Sequence, residues 1–138
     1  MRCLVPHVNF LPREILTTKL NLQRKVEIKL NRVRTDLAFN DDFVRHNFTT
    51  HIDQSCTCGF ARQNTTHMLL DCPLYKIPRD RFTRELMESE HFNYMTFSSC
   101  TRANQVKLML YGDSSLSIVA DKQLANAVAA FIDDLIEL

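Results

Sequence analysis

The chain has no tryptophan, only two glycines and four prolines, and no apolar run near the roughly 20 residues that a membrane span requires. Gly59 and Gly112 lie too far apart to build a P-loop or a dinucleotide fingerprint, which excludes nucleotide-binding folds of those kinds. So little Gly and Pro also argues against disorder, and 45% apolar residues over 138 positions suffice for a core. That length fits one domain, residues 1–138. The stretch Met1–Phe10 holds Arg2, Pro6 and His7 and lacks the apolar core of a signal peptide. The expectation is a soluble protein of the nucleus or cytoplasm, with no membrane segment and no small-molecule substrate.

Strong charge of one sign is missing as well. The net charge is +1, so the whole chain makes no electrostatic case for a polyanion. Its distribution is less even. Residues 1–55 carry nine Lys and Arg against six acids, 56–112 carry seven against five, and 113–138 carry one against five. A polyanion would therefore meet the first part of the chain rather than its tail.

Cysteine, by contrast, is concentrated. Cys56-Thr57-Cys58-Gly59 is followed by Thr66-His67-Met68-Leu69-Leu70-Asp71-Cys72-Pro73, which places three thiols and one imidazole within residues 56–72. Zn²⁺ favours four N or S ligands in a closed tetrahedron, with Zn–S about 2.3 Å and Zn–N about 2.0–2.1 Å. A Cys-x-Cys turn supplies two ligands. His67 and Cys72 are spaced i, i+5, which is awkward for one face of an unbroken helix. The spacing suits one ligand on a helix and another where the helix ends, and Pro73 gives a reason to end there. The competing reading is of ordinary buried thiols beside an unrelated histidine, because cysteine buries readily as a small hydrophobe. With an odd total of five cysteines, three of them in this cluster, metal chemistry in a reducing compartment is favoured over a disulfide framework.

The remaining pattern is helical. Leu11-Pro12-Arg13-Glu14 resembles a helix start. Leu22, Val26, Leu30, Val33 and Leu37 then form an apolar stripe at helical period, with Arg24, Lys25, Lys29, Arg32 and Arg34 on other faces. That stripe reads either as a solvated amphipathic helix or as a phosphate-facing ridge. Asn40 can cap a short helix over Asp41–Phe48, and Thr65 or Thr66 can cap the one bearing His67. Arg79–Glu90 and Asn104–Leu110 read as helices, and Asp121 opens a closing helix to about 137 with Leu124, Val128, Phe131, Ile132, Leu135 and Leu138 on its buried side. His91–Cys100 is ambiguous between strand and loop. The expected fold is mostly α: a small helical domain with a central structural zinc site.

Catalytic signals are scarce. No nucleophile signature surrounds any Ser, and Asp41-Asp42 and Asp133-Asp134 are adjacent pairs that do not face each other on a helix. A catalytic zinc keeps one position open for water, whereas four close ligands indicate a closed structural site.

Taken as a set, these residues resemble the C-terminal region of non-LTR (LINE-type) retrotransposon polyproteins. The motifs are Leu30-Asn31-Arg32-Val33-Arg34-Thr35, Asn40 and Phe43, Cys56-x-Cys58-Gly59, Thr66-His67-Met68-Leu69-Leu70-Asp71-Cys72-Pro73, Tyr75 and Arg79, and Leu110-Tyr111-Gly112-Asp113. The resemblance covers roughly residues 20–135, and the Cys-Cys-His-Cys run is its most specific part. The family commonly has Gly-His after the Arg-Thr element, where this chain has Asp36-Leu37. The resemblance implies a segment downstream of the reverse transcriptase and RNase H domains, whose catalytic carboxylates this chain does not contain. It implies a non-catalytic, zinc-stabilised tail, from a truncated element copy or an isolated module, that grips RNA or DNA. Arg32, Arg34, Arg62, Arg79, Arg81 and Arg84 would then contact phosphates, and Tyr75 or Phe60 could stack on an unpaired base. Two further readings stand beside it. One is a protein–protein docking module using residues 124–138, and the other is a relic reading frame with no selected activity.

Overall fold

Several helix boundaries in this chain follow from which side chains are available to cap them. The computed structural model describes residues 23–46 and 53–136. Helix α1 spans Arg24–Arg34, α2 Asn40–Arg45, α3 Lys76–Glu88, α4 Tyr94–Ser99, α5 Arg102–Tyr111 and α6 Ile118–Leu135. A π-helical turn, His67–Asp71, and a 3₁₀ turn, Pro73–Tyr75, lead into α3. No strand occurs among the described residues, as the mostly α expectation required. No described helix is long and apolar enough to cross a membrane. The helix start expected at Leu11–Glu14 lies outside the described residues, as do Leu22, Phe48 and Leu138.

Val26, Leu30 and Val33 of the predicted stripe are buried along α1. The helix stops because Asp36 takes a left-handed conformation, φ 56°. The N–H of Leu37 then bonds the Arg32 carbonyl at 2.9 Å and that of Asp36 the Val33 carbonyl at 3.3 Å. That two-bond pattern is a Schellman ending, in which Gly is the usual left-handed residue. In α2 the chain does not use Asn40 as its cap. Asp42 reaches back instead, accepting the Phe39 N–H at 3.1 Å, and is wholly buried.

The four later helices also differ from expectation at their starts. Helix α3 begins at Lys76, with Pro78 in its first turn, where a missing N–H leaves no intrahelical bond unmade. The ambiguous stretch after Glu90 contains α4, whose cap Asn93 accepts the Thr96 N–H at 3.1 Å. Thr101 and Ser117 cap α5 and α6, and α6 starts three residues before Asp121. A polar cap stabilises a helix by about 1 kcal/mol, which is enough to decide a boundary.

Helix α6 is the centre of the core. It packs on α3, α1 and α5, burying Leu124, Val128, Phe131 and Ile132. Phe131 stacks on Phe82 of α3 with ring centroids 5.4 Å apart. Each such side chain contributes about 1.5–3 kcal/mol through removal from water. Ion pairs join the same elements. Lys29 of α1, itself buried, donates to the Asp133 carboxylate at 2.8 Å, and Arg81 of α3 pairs with Asp134. On α3 the i, i+4 pair is Lys76 with Asp80, at 2.7 Å. The buried set runs through Cys56, Met68, Leu69 and Cys72, so the cysteine cluster is seated on this core.

Candidate metal centre

The first two thiols come from a short loop closed on itself. Cys56 N–H bonds the Phe60 carbonyl at 2.8 Å, Gly59 N–H bonds the Cys56 carbonyl at 2.9 Å, and Gln63 N–H bonds the Gln54 carbonyl at 2.8 Å. Gly59 has φ 99°, which an L side chain rarely adopts, so glycine completes the turn. The second pair comes from the turn that follows. Its cap is Asn64, whose Oδ1 accepts the His67 N–H at 2.9 Å, rather than Thr65 or Thr66.

The i, i+5 spacing of His67 and Cys72 is resolved by the π turn. The Cys72 N–H bonds the His67 carbonyl at 2.8 Å, a span of five residues. The wider π turn brings residues five apart onto one side, which an α turn does not. Such single π turns are rare and concentrate at functional sites.

As a result, one donor atom from each of Cys56, Cys58, His67 and Cys72 lies within 4.8 Å of all the others. Cys56 Sγ and Cys72 Sγ are 3.7 Å apart, and Cys58 Sγ lies 3.3 Å from His67 Nε2. The four are close enough to hold a metal ion. Cys56, His67 and Cys72 are buried and Cys58 is partly exposed. The His67 ring stacks on Phe60, centroids 4.4 Å apart and planes 9° from parallel. Its Nδ1 is buried and makes no hydrogen bond, so ring stacking supplies the orientation that a carboxylate or carbonyl usually gives a metal-binding imidazole.

The two innermost thiols are driven apart electrostatically. Burial opposes ionisation of Cys56, yet the Cys58 N–H, the Gln63 amide and the Cys58 and His67 side chains outweigh it and bring the thiol down to about 6. Burial pushes Cys72 up to about 11, helped by the neighbouring Cys56 and only partly offset by the Leu74 N–H. A cation between them would favour the deprotonated form of both. Of the other two cysteines, Cys3 lies outside the described residues. Cys100, at the end of α4, is buried and disulfide-bonded, against the reading that disfavoured disulfides.

The six arginines expected to meet phosphate are not gathered into one patch. Arg34 is buried, donating to the Leu110 carbonyl at 2.8 Å and lying over the Tyr111 ring. Arg79 is half-buried against Phe131 and donates to main-chain carbonyls of the ligand turn, and nearby Asp71 pairs with Arg102. Arg32 is half-buried and donates to the Leu37 carbonyl at 3.3 Å. Arg62, Arg81 and Arg84 are exposed, with Arg62 Nε 4.0 Å from Asp41 and Arg81 paired with Asp134. Phe60 has one ring face occupied by His67, and Tyr75 packs against the core. Leu124, Ala127, Val128, Phe131, Ile132, Leu135 and Ile136 are buried in the chain's own core. Set beside known protein families, curated proteins and solved structures, the chain matches none.

Proposed function

We propose that Cys56, Cys58, His67 and Cys72 hold one zinc ion in a closed structural site. The helical domain stapled by that ion would be a non-catalytic nucleic-acid-binding tail of the non-LTR retrotransposon kind. The observation that carries the metal half is the donor geometry. A tetrahedral zinc site has S–S edges of about 3.8 Å and S–N edges of about 3.5 Å, from its bond lengths. Two of the edges here are 3.7 and 3.3 Å, and all of them lie within 4.8 Å, so a shift of about 1 Å at most closes the set. Three thiols with one imidazole is a soft donor set that favours zinc over Mg²⁺ or Ca²⁺. Four protein ligands leave no position for a reacting water.

The nucleic-acid half rests on the resemblance and on the exposed bases. Its Gly-His element, replaced here by Asp36-Leu37, falls on the left-handed position that ends α1, where glycine is the default residue. A backbone that calls for glycine at that point agrees with the resemblance. Of the six arginines, Arg62, Arg81 and Arg84 are exposed enough to reach phosphate, Arg81 by leaving Asp134, whereas Arg34 and Arg79 are spent on carbonyls inside the fold. Three phosphate contacts give a salt slope of about −2 on single strands, or roughly a 20-fold loss of affinity between 50 and 200 mM salt. Titrating a labelled single-stranded RNA against the zinc-loaded chain at both concentrations tests this. No retention at the lower salt, or retention indifferent to salt, contradicts the nucleic-acid half and leaves the metal half standing.

A further inference from the structure

The π turn that aligns His67 with Cys72 leaves main-chain carbonyls without donors. In an α-helix the Met68 carbonyl would accept the Cys72 N–H, but that N–H is taken by His67. The Leu69 carbonyl would accept from residue 73, which is proline and has no N–H. Buried carbonyls without partners cost about 1–3 kcal/mol each, so a bare π turn would tend to relax toward α geometry. Relaxation would move the Cys72 N–H to Met68 and swing the Cys72 thiol away from the histidine.

One side chain meets this need. Arg79, one turn into α3, donates from Nη2 to the Met68 carbonyl at 3.0 Å and from Nε to the Leu69 carbonyl at 3.0 Å. Its remaining fork nitrogen, Nη1, donates to the carbonyl of Cys72 itself at 2.8 Å. The guanidinium rests over the Phe131 ring of α6, 5.8 Å from its centroid, so the fork is braced on the core. Of its basic neighbours on α3, Lys76 pairs with Asp80 and Arg81 with Asp134.

We infer that Arg79 is a positioning residue for the metal centre, holding the π turn open by satisfying its orphaned carbonyls and thereby keeping Cys72 on the same side as His67. The inference rests on the metal reading above. It assigns Arg79 to ligand geometry rather than to phosphate. Lysine cannot replace it, because a single ammonium cannot span three carbonyls from one braced position as a planar fork does.

The test uses Co²⁺ as the probe in the full chain, because the intensity of its sulfur-to-metal charge-transfer absorption follows the number of bound thiolates. The unsubstituted chain, Arg79→Lys, Arg79→Gln and Cys72→Ser are compared for that intensity, for zinc affinity by chelator competition and for helical circular dichroism. Arg79→Lys is expected to keep its helical signal, to lose about a third of the charge-transfer intensity as Cys72→Ser does, and to bind zinc at least tenfold more weakly. Combining Arg79→Lys with Cys72→Ser should produce no further spectral loss. Arg79→Gln, which retains donors for part of the site, should fall between. Full intensity and unchanged zinc affinity in Arg79→Lys overturn the inference and leave the metal reading intact. Loss of helix in both Arg79 variants, unrestored by metal, also overturns it, because the guanidinium would then be serving the fold at large. No stoichiometric cobalt in the unsubstituted chain overturns the metal reading, and this inference with it.

Discussion

Replacing Asp36 with glycine should make the protein more stable. Asp36 sits at φ 56° as the left-handed residue ending α1, and its carboxylate makes no ion pair within 4.0 Å among the described residues. A β-carbon in that conformation costs roughly 1–2 kcal/mol, somewhat less for Asp, which tolerates it better than most residues. Glycine relieves the clash but loses about 0.4–1 kcal/mol through the extra freedom of its unfolded chain. The field of Asp36 on Arg45 is also lost, a minor effect at an exposed site. The net expectation for Asp36→Gly is a gain of about 0.5–1 kcal/mol, or roughly 2–4 °C in Tm for a chain of this size. Asp36→Ala, which keeps the β-carbon and removes the local hydrogen-bonding that helps Asp tolerate the turn, should be destabilising. Urea melts of the three proteins with shared m-values would measure this. An alanine variant as stable as the glycine one would refute the reasoning, because the backbone conformation would then not be what distinguishes them.

Other outcomes follow from the same structure. Cys58→Ser or His67→Ala should abolish tight zinc binding and lower thermal stability in zinc by several kcal/mol, seen as convergence with the chelator-treated chain in calorimetry. Asp133→Asn should cost about 1–2 kcal/mol at neutral pH, because buried Lys29 loses its carboxylate; the figure is reduced for the partial exposure of Asp133. The hydrogen bond from Lys29 holds the Asp133 carboxyl below its usual range, so the pair's contribution is present above about pH 4 and lost as pH falls further. Urea melts between pH 2 and 7 should show that loss in the native chain and less of it in Asp133→Asn. In the chelator-treated chain, Cys56 ionises near 6 when folded and at a higher value when unfolded. Its contribution is therefore complete above the unfolded value and disappears as pH falls through about 6. A Cys56→Ser variant should flatten that part of the profile.

The parts of this molecule legible in its sequence are those set by short-range periodicity. The stripe Val26, Leu30, Val33 and the closing helix through Phe131 emerge because apolar residues at helical spacing have one buried face. The cysteine cluster emerges because its spacing is local. Its geometry was only half legible. The i, i+5 interval signalled an irregularity at Cys72, but the π turn depends on Arg79, seven residues further on and in the next helix. The arginine assignments differ most for a related reason. Arg34 and Arg79 look like surface bases in sequence, and only the three-dimensional path of the chain reveals carbonyls of Leu110 and Leu69 waiting for them. Helix α4 was obscured by Phe92, Tyr94 and Phe97, aromatic residues equally at home in strands, and Asn93 was the cap that would have located it. An odd cysteine total, finally, is no argument against a disulfide at Cys100 once three thiols are set aside for a metal.

The account turns on whether the four donors hold zinc as a structural ligand set. Metal content by mass spectrometry after exhaustive dialysis at neutral pH, paired with melting of the same sample before and after a strong chelator, addresses that directly. The expected result is one zinc per chain and a large, zinc-reversible fall in Tm on chelation, with the tenfold steps of competition titration placing the ion among tight structural sites. A chain that dialyses free of metal and melts at the same temperature with and without the chelator would contradict it.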